Sequence, residues 1–136
     1  MDLQPQRERA AALRRLHQGP GILVLANAWD VASARLVETA GFPAVATSSA
    51  GVAFVLGYPD GERISRAEMA EAVRRIASRV SVPVTADMEA GYGPTPEDAA
   101  ATARAVVAAG AVGMNLEDAP GPGGEGTLID QALQVE

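Results

Sequence analysis

Four short stretches, residues 22–26, 44–47, 82–86 and 112–116, are apolar at consecutive rather than alternate positions. A strand with one wet face alternates polar and apolar residues, whereas a strand covered on both faces does not, so these runs predict buried strands of a parallel sheet. Between them, apolar residues recur at helical spacing over 31–40, over 66–80 (Met69, Ala72, Val73, Ile76, Val80) and over 96–109 (Ala103, Val106, Val107). The predicted order is strand, helix, strand, helix, strand, helix, strand, which is a repeated βα unit of an α/β fold.

Punctuation supports the period. Ser65-Arg66-Ala67-Glu68 has the spacing of a capping box, and Thr95-Pro96-Glu97-Asp98 combines an N-cap, a proline at the first helical position and two acids in the electropositive first turn. Gly41 and Gly110 follow the ends of two predicted helices, where a residue with positive φ is wanted. A further helix over 4–17, with Leu13 and Leu16 as its apolar contacts, precedes the first strand and is expected to plug or flank the sheet. Residues 119–126 read as a loop, and Leu128, Ile129, Ala132, Leu133 and Val135 read as an incomplete helix. The whole of 1–136 is therefore expected to be one partial domain.

Composition narrows the chemistry. Of 136 residues 48% are hydrophobic but only 4% aromatic, so the core is expected to be built from Ala, Val, Leu and Ile. Eleven arginines and no lysine face 17 acids, a net charge of −6, which argues against a nucleic-acid partner. The absence of cysteine removes disulfides and thiolate chemistry, and the absence of lysine removes Schiff-base chemistry. The N-terminus is charged throughout, and no window approaches 18 uninterrupted apolar residues. These features predict a cytoplasmic protein with no membrane partner.

Parallel sheets place their sites at the carboxyl ends of the strands. There the chain carries Asn27, Trp29 and Asp30; then Thr47, Ser48, Ser49, Gly51 and Asp60; then Asp87, Glu89, Gly91, Tyr92 and Gly93; then Asn115, Glu117 and Asp118. Five carboxylates from three loops are expected to converge on one rim. Acids without His or Cys make a hard-oxygen site suited to Mg²⁺ or Mn²⁺, which takes one or two carboxylates directly and keeps several waters. The competing reading is solvated loop acids and helix caps, which Asp30 fits best and Asp87, abutting a buried strand end, fits least. Trp29 either walls a substrate pocket or packs beneath it. The G-x-G-x-x-G match over 121–126 lies beyond its strand, contains proline and glutamate, and is set aside as a nucleotide site. His17, on the leading helix, is read as a surface or helix-terminal residue.

Four motifs in order resemble the isocitrate lyase/phosphoenolpyruvate mutase superfamily: Asn27-Ala28-Trp29-Asp30, Thr47-Ser48-Ser49-Ala50-Gly51 followed by Asp60, Ala86-Asp87-Met88-Glu89-Ala90-Gly91-Tyr92-Gly93, and Asn115-Leu116-Glu117-Asp118. The resemblance implies a parallel (β/α) barrel, of which this chain holds about four βα units, a half-barrel preceded by an N-terminal helix. It implies cleavage or formation of a C–C or P–C bond in a small 2-oxo or 2-hydroxy carboxylate through an enolate. It further implies Mg²⁺ (or Mn²⁺) on Asp87, with Asp60, Glu89 and Glu117 holding its waters, and substrate contacts from Trp29, Ser48, Ser49, Ala50 and Asp87. Ser48, Glu117 and Tyr92 are the candidate catalytic residues. The lyase members' Lys-Lys-Cys-Gly-His signature is replaced by Pro120 and the glycine-rich segment that follows, which points away from isocitrate or methylisocitrate cleavage. A half-barrel also implies a homo-oligomer or a separate C-terminal half; the alternative to an enzyme is a truncated module that binds metal or a partner without turnover.

Overall fold

Side-chain caps set where the helices begin. In the computed structural model, which describes residues 4–119 and 126–135, Asp30 accepts the Ser33 N–H at 2.7 Å and opens α2 (Val31–Thr39). Ser65 and Glu68 form the expected box at the start of α4 (Arg66–Ala77), and Thr95 with Asp98 does the same for α5 (Pro96–Ala109). Gly110 ends α5 at φ +93, as the corner requires. The remaining elements are α1 (Gln4–Gln18), β1 (Ala26–Ala28), β2 (Val45–Thr47), α3 (Ser49–Val55), β3 (Val84–Asp87), β4 (Gly113–Asn115) and α6 (Gln131–Val135).

The four strands pair in parallel in the order β1-β2-β3-β4. Each strand neighbours its successor, so the sheet winds in one direction as a barrel does, with β1 and β4 as its edges. Two expectations are corrected. The first strand lies at Ala26–Ala28 rather than over 22–26, because its ladder begins where Ala26 meets Val45; the residues before it have no partner, and Ile22 is 93% exposed. The segment after β2 is not a loop throughout but contains α3, capped by Ser48, whose hydroxyl oxygen accepts the Gly51 N–H at 3.2 Å. The glycine-rich match over 121–126 lies, apart from Gly126, outside the described residues.

The core sits between the sheet and its helices: Val45, Val84 and Ala86 from the strands meet Val52 of α3, Met69, Val73 and Ile76 of α4, and Val106 of α5. Alanines at Ala28, Ala34 and Ala86 are fully buried, which lets helices approach the sheet closely. Helix α1 closes the end of the sheet opposite the candidate site. Gln6 donates through its amide to the carbonyls of Val107 at 2.8 Å and Ala111 at 3.0 Å, and buried Leu13 packs on β4. A Cβ at Gly113 would stand 2.9 Å from both Leu13 Cδ2 and Thr85 Oγ1, so glycine there permits the contact. Among the described residues no helix is long and apolar enough to cross a membrane.

Gly113→Ala is expected to lower the unfolding free energy by about 1–3 kcal/mol through overpacking against Leu13 and Thr85. Asp30→Ala is expected to cost about 1 kcal/mol through loss of the cap. Urea denaturation of each variant against wild type checks both, and unchanged midpoints would contradict the packing and capping described.

Candidate functional site

The ladder between β2 and β3 stops short of the strand ends, and side chains take over its donors. The Asp87 N–H donates to Thr47 Oγ1 at 2.9 Å. The chain leaves β2 into the first turn of α3, which brings Ser49 over β3. Asp87 Oδ2 there accepts the Ser49 N–H at 3.0 Å and the Ser49 hydroxyl at 2.7 Å, while Oδ1 accepts the Glu89 N–H at 3.2 Å. A carboxylate holding three donors is fixed in direction and keeps lone pairs free for a cation. Ser49, expected at the substrate, is thus engaged with Asp87. Ser48 caps α3, and the Ala50 N–H belongs to the first turn, whose N–H groups have no partner within the helix.

The loop after β3 is strained. Glu89 and Tyr92 have φ of +51° and +64°, and across the rim Glu62 has φ +55°. Such conformations cost on the order of 1–3 kcal/mol each for residues with a Cβ and persist only when their surroundings hold them. Several bonds do so here. The Glu62 N–H donates to Glu89 Oε2, the Tyr92 N–H donates to Glu62 Oε1 at 2.8 Å, and an Arg66 NH₂ group donates to the Tyr92 carbonyl at 2.7 Å. Beneath, the fully buried Thr102 hydroxyl donates to the Gly91 carbonyl at 2.6 Å, tying the loop to α5. Gly93 is required, since a Cβ there would lie 2.2 Å from the Asp98 carboxyl carbon. On the β4 side the Glu117 N–H donates to the Glu89 carbonyl at 2.7 Å, bringing that acid beside the loop.

Electrostatics define the rim. Glu89 is only 4% exposed, its Oε1 has no hydrogen-bond partner, and burial together with the charges of Asp60, Glu62 and Asp87 raises its pKa above the usual carboxylate range. Glu117 is raised by desolvation and by Asp87, Asp60, Asp118 and Glu62. Tyr92 is raised too, by burial and then by Glu89, Glu62 and Asp87, so its buried hydroxyl stays protonated. Asp60, at the exposed edge, accepts the Gly61 N–H at 3.0 Å. The acids therefore form one mutually repelling group.

Among the described residues no three acids enclose a point closely enough to ligate one ion together. Mg²⁺ or Mn²⁺ can be held directly by a single carboxylate with further acids reached through water, so the lack of a closed acid cage does not bear against such an ion. A buried, unpartnered carboxylate oxygen inside a like-charged group is likewise the environment a divalent cation would relieve. Trp29 is placed differently from the acids: it packs over Gly51, where a Cβ would come within 2.8 Å of the Trp29 Cβ, and lines a groove of about 600 Å³ walled by α2, α3 and α4. Sequence reasoning missed Glu62, Arg66 and Thr102. Only Thr102 left a signal, a hydroxyl in register with buried Val106 and Ala109 on the inner face of α5.

The site is thus an acidic rim at the carboxyl end of a parallel α/β sheet. Residues 13–136 match the phosphoenolpyruvate phosphomutase family, and the chain belongs to that family. It is 33% identical over 131 residues to an oxaloacetate decarboxylase of Bradyrhizobium diazoefficiens, an alignment covering 96% of this chain and 45% of that protein. A solved phosphoenolpyruvate phosphomutase from Streptomyces platensis subsp. rosaceus superposes with a TM-score of 0.77 at 34% identity, over 82% of this chain and 38% of that one. A 2,3-dimethylmalate lyase of the PEP mutase/isocitrate lyase superfamily superposes with a TM-score of 0.70 at 32% identity, over 81% and 40%. The chain spans less than half the length of these relatives.

Thr102→Val keeps the shape of the buried side chain but leaves the Gly91 carbonyl without its donor. It is expected to destabilise the protein by about 1–3 kcal/mol, read from thermal unfolding followed by circular dichroism; a variant as stable as wild type would remove Thr102 from the support of the site.

Proposed function

We propose that this chain supplies the cation-binding part of a Mg²⁺-dependent enzyme that cleaves or forms a C–C or P–C bond in a small 2-oxo or 2-hydroxy carboxylate resembling oxaloacetate or phosphonopyruvate, with a 2-methylisocitrate-like substrate disfavoured by the missing lyase signature. The observation that carries the proposal is the Asp87 carboxylate, locked by three donors at the end of β3 amid acids that repel one another. The relatives' names support the substrate class.

Asp87 would hold the cation directly, and Asp60, Glu89 and Glu117 would hold its waters. When bound, the cation supplies Lewis-acid stabilisation of negative charge developing on the substrate's oxo oxygen. The chain's own groups perform the rest. Ser49 and the Glu89 N–H keep Asp87 oriented, so no reorganisation is needed at the moment of reaction. The Ser48 hydroxyl and the Ala50 N–H are the donors available to a substrate carboxylate or oxo oxygen. Tyr92, kept protonated, can donate a hydrogen bond but is too weak an acid to give up a proton readily. Glu89 and Glu117, whose proton affinities are both raised, are the rim acids suited to take or hold one.

A second reading is cation binding without turnover, since the restraint of Asp87 accounts for holding a cation and by itself calls for no reaction. On either reading β1 and β4 are the surfaces for a second copy or for a C-terminal half, because an unpaired parallel edge exposes backbone donors and acceptors.

Calorimetric titration with Mg²⁺ and Mn²⁺ is expected to show binding to wild type that is lost in Asp87→Ala and only weakened in Glu117→Gln. Equal affinity in wild type and Asp87→Ala would overturn the assignment. Turnover of oxaloacetate or phosphonopyruvate by the purified chain separates the two readings, and sedimentation at tens of micromolar tests self-association at the edges, a compact monomer counting against it.

A further inference from the structure

We propose that Glu62 is a positioning residue, a strap that binds the Asp60 loop to the Asp87–Gly93 loop and so sets how tightly the rim holds a divalent cation. The inference rests on the function proposed above but concerns a residue outside the acids assigned there to the cation.

Glu62 bonds the opposite loop through both its backbone and its side chain. Its N–H reaches Glu89 Oε2 and its Oε1 receives the Tyr92 N–H. These two bonds make a closed clasp, in which Glu62 fixes the carboxylate of Glu89 and the backbone three residues further on. All three members of the clasp have positive φ, a conformation none of them adopts cheaply. Strain on both sides of one pair of hydrogen bonds means that the two loops hold each other, and that neither keeps its shape alone. The clasp is anchored at both ends: Ile64, two residues after Glu62, is 2% exposed in the core, and Arg66 at the start of α4 donates to the Tyr92 carbonyl.

The charge of Glu62 works against its neighbours, since it adds to the repulsion that raises the proton affinity of both Glu89 and Glu117. A neutral acceptor would serve the Tyr92 N–H at lower electrostatic cost. The function of Glu62 is therefore geometric: it sets the separation between Asp60, two residues before it, and Glu89, across the rim. Groups that orient ligands in this way typically change metal affinity by about 10–100-fold when removed.

The test uses Glu62→Ala and Glu62→Gln, the second retaining an acceptor for the Tyr92 N–H without the charge. Amide hydrogen exchange of the apo chain reads the strap directly. In Glu62→Ala the Tyr92 amide is expected to exchange about tenfold faster or more, in Glu62→Gln close to the wild-type rate, and core amides such as Val84 unchanged in both. Mn²⁺ titration reads its consequence: Glu62→Ala is expected to bind about tenfold more weakly and Glu62→Gln to match wild type. An unchanged Tyr92 exchange rate in Glu62→Ala would overturn the strap, and faster exchange with undiminished Mn²⁺ affinity would overturn its positioning role. Wild type failing to bind Mn²⁺ would overturn the proposed function and the affinity part of this inference, while the exchange rates would still decide whether the strap exists.

Discussion

Repulsion between carboxylates is the constraint on which the rest of this structure depends. Two unit charges about 5 Å apart interact by roughly 3 kcal/mol at an effective dielectric near 20, as much as a strained backbone residue costs. A chain that gathers Asp60, Glu62, Asp87, Glu89 and Glu117 on one rim must therefore restrain each acid. It does so with neutral donors, most of them backbone N–H groups. Ser49 and the Glu89 N–H restrain Asp87, and the Glu62 N–H restrains Glu89. Arginine is scarce here: Arg66 spends its bonds on the Tyr92 carbonyl and on Asp98, 3.5 Å away, rather than on the acids of the rim. Neutral N–H donors orient a carboxylate without cancelling its charge, which leaves the rim negative.

That solution dictates local structure. The Glu89 N–H turns back onto Asp87 just two residues after it, which β3 can achieve only by leaving the extended conformation at once; Glu89 accordingly sits at φ +51°. Helix α3 begins immediately after β2 because its first turn must deliver the Ser49 N–H and hydroxyl to Asp87. Thr102 and Gly93 then seat the strained loop on α5. Strain, helix start and buried hydroxyl are three consequences of holding one carboxylate still.

How far this was legible in the sequence follows from the range of each interaction. Caps at Asp30, Ser65 and Thr95 act within three residues, and the corners at Gly41 and Gly110 act within one, so sequence alone locates them. Strands β2 and β3 were legible because burial on both faces leaves consecutive apolar runs; β1 and β4, at the edges of the parallel sheet, are only partly buried, contrary to the expectation of four buried strands. Helix α3 was not, since Ser-Ala-Gly-Val-Ala-Phe-Val has no amphipathic period and owes its start to Ser48 and to packing of Trp29 on Gly51. The placement of β1 was missed because it depends on register with Val45, 19 positions on from Ala26. Asp87 stood out from its strand-end position, but Ser49 as its partner, 38 residues earlier, and the clasp by Glu62 are tertiary facts with no local signature.

These long-range bonds tie the site to nearly every element of the sheet. The donors to Asp87, the clasp between Glu62 and Tyr92, and the anchor from Thr102 to Gly91 come from β2, α3, α4, α5 and their loops. The edge strands contribute as well. The Ser48 N–H, at the cap of α3, donates to the Ala28 carbonyl of β1 at 3.0 Å. On the other side Asp87 pairs with Asn115 of β4, the Met88 N–H donates to the Asn115 carbonyl at 3.3 Å, and the Glu117 N–H donates to the Glu89 carbonyl at 2.7 Å. Each edge therefore reaches the Asp87 carboxylate by a short route: β1 through the cap that starts α3 and so places Ser49, β4 through the loop that carries Glu89. A change at either edge strand acts on the geometry around Asp87 as well as on the stability of the sheet.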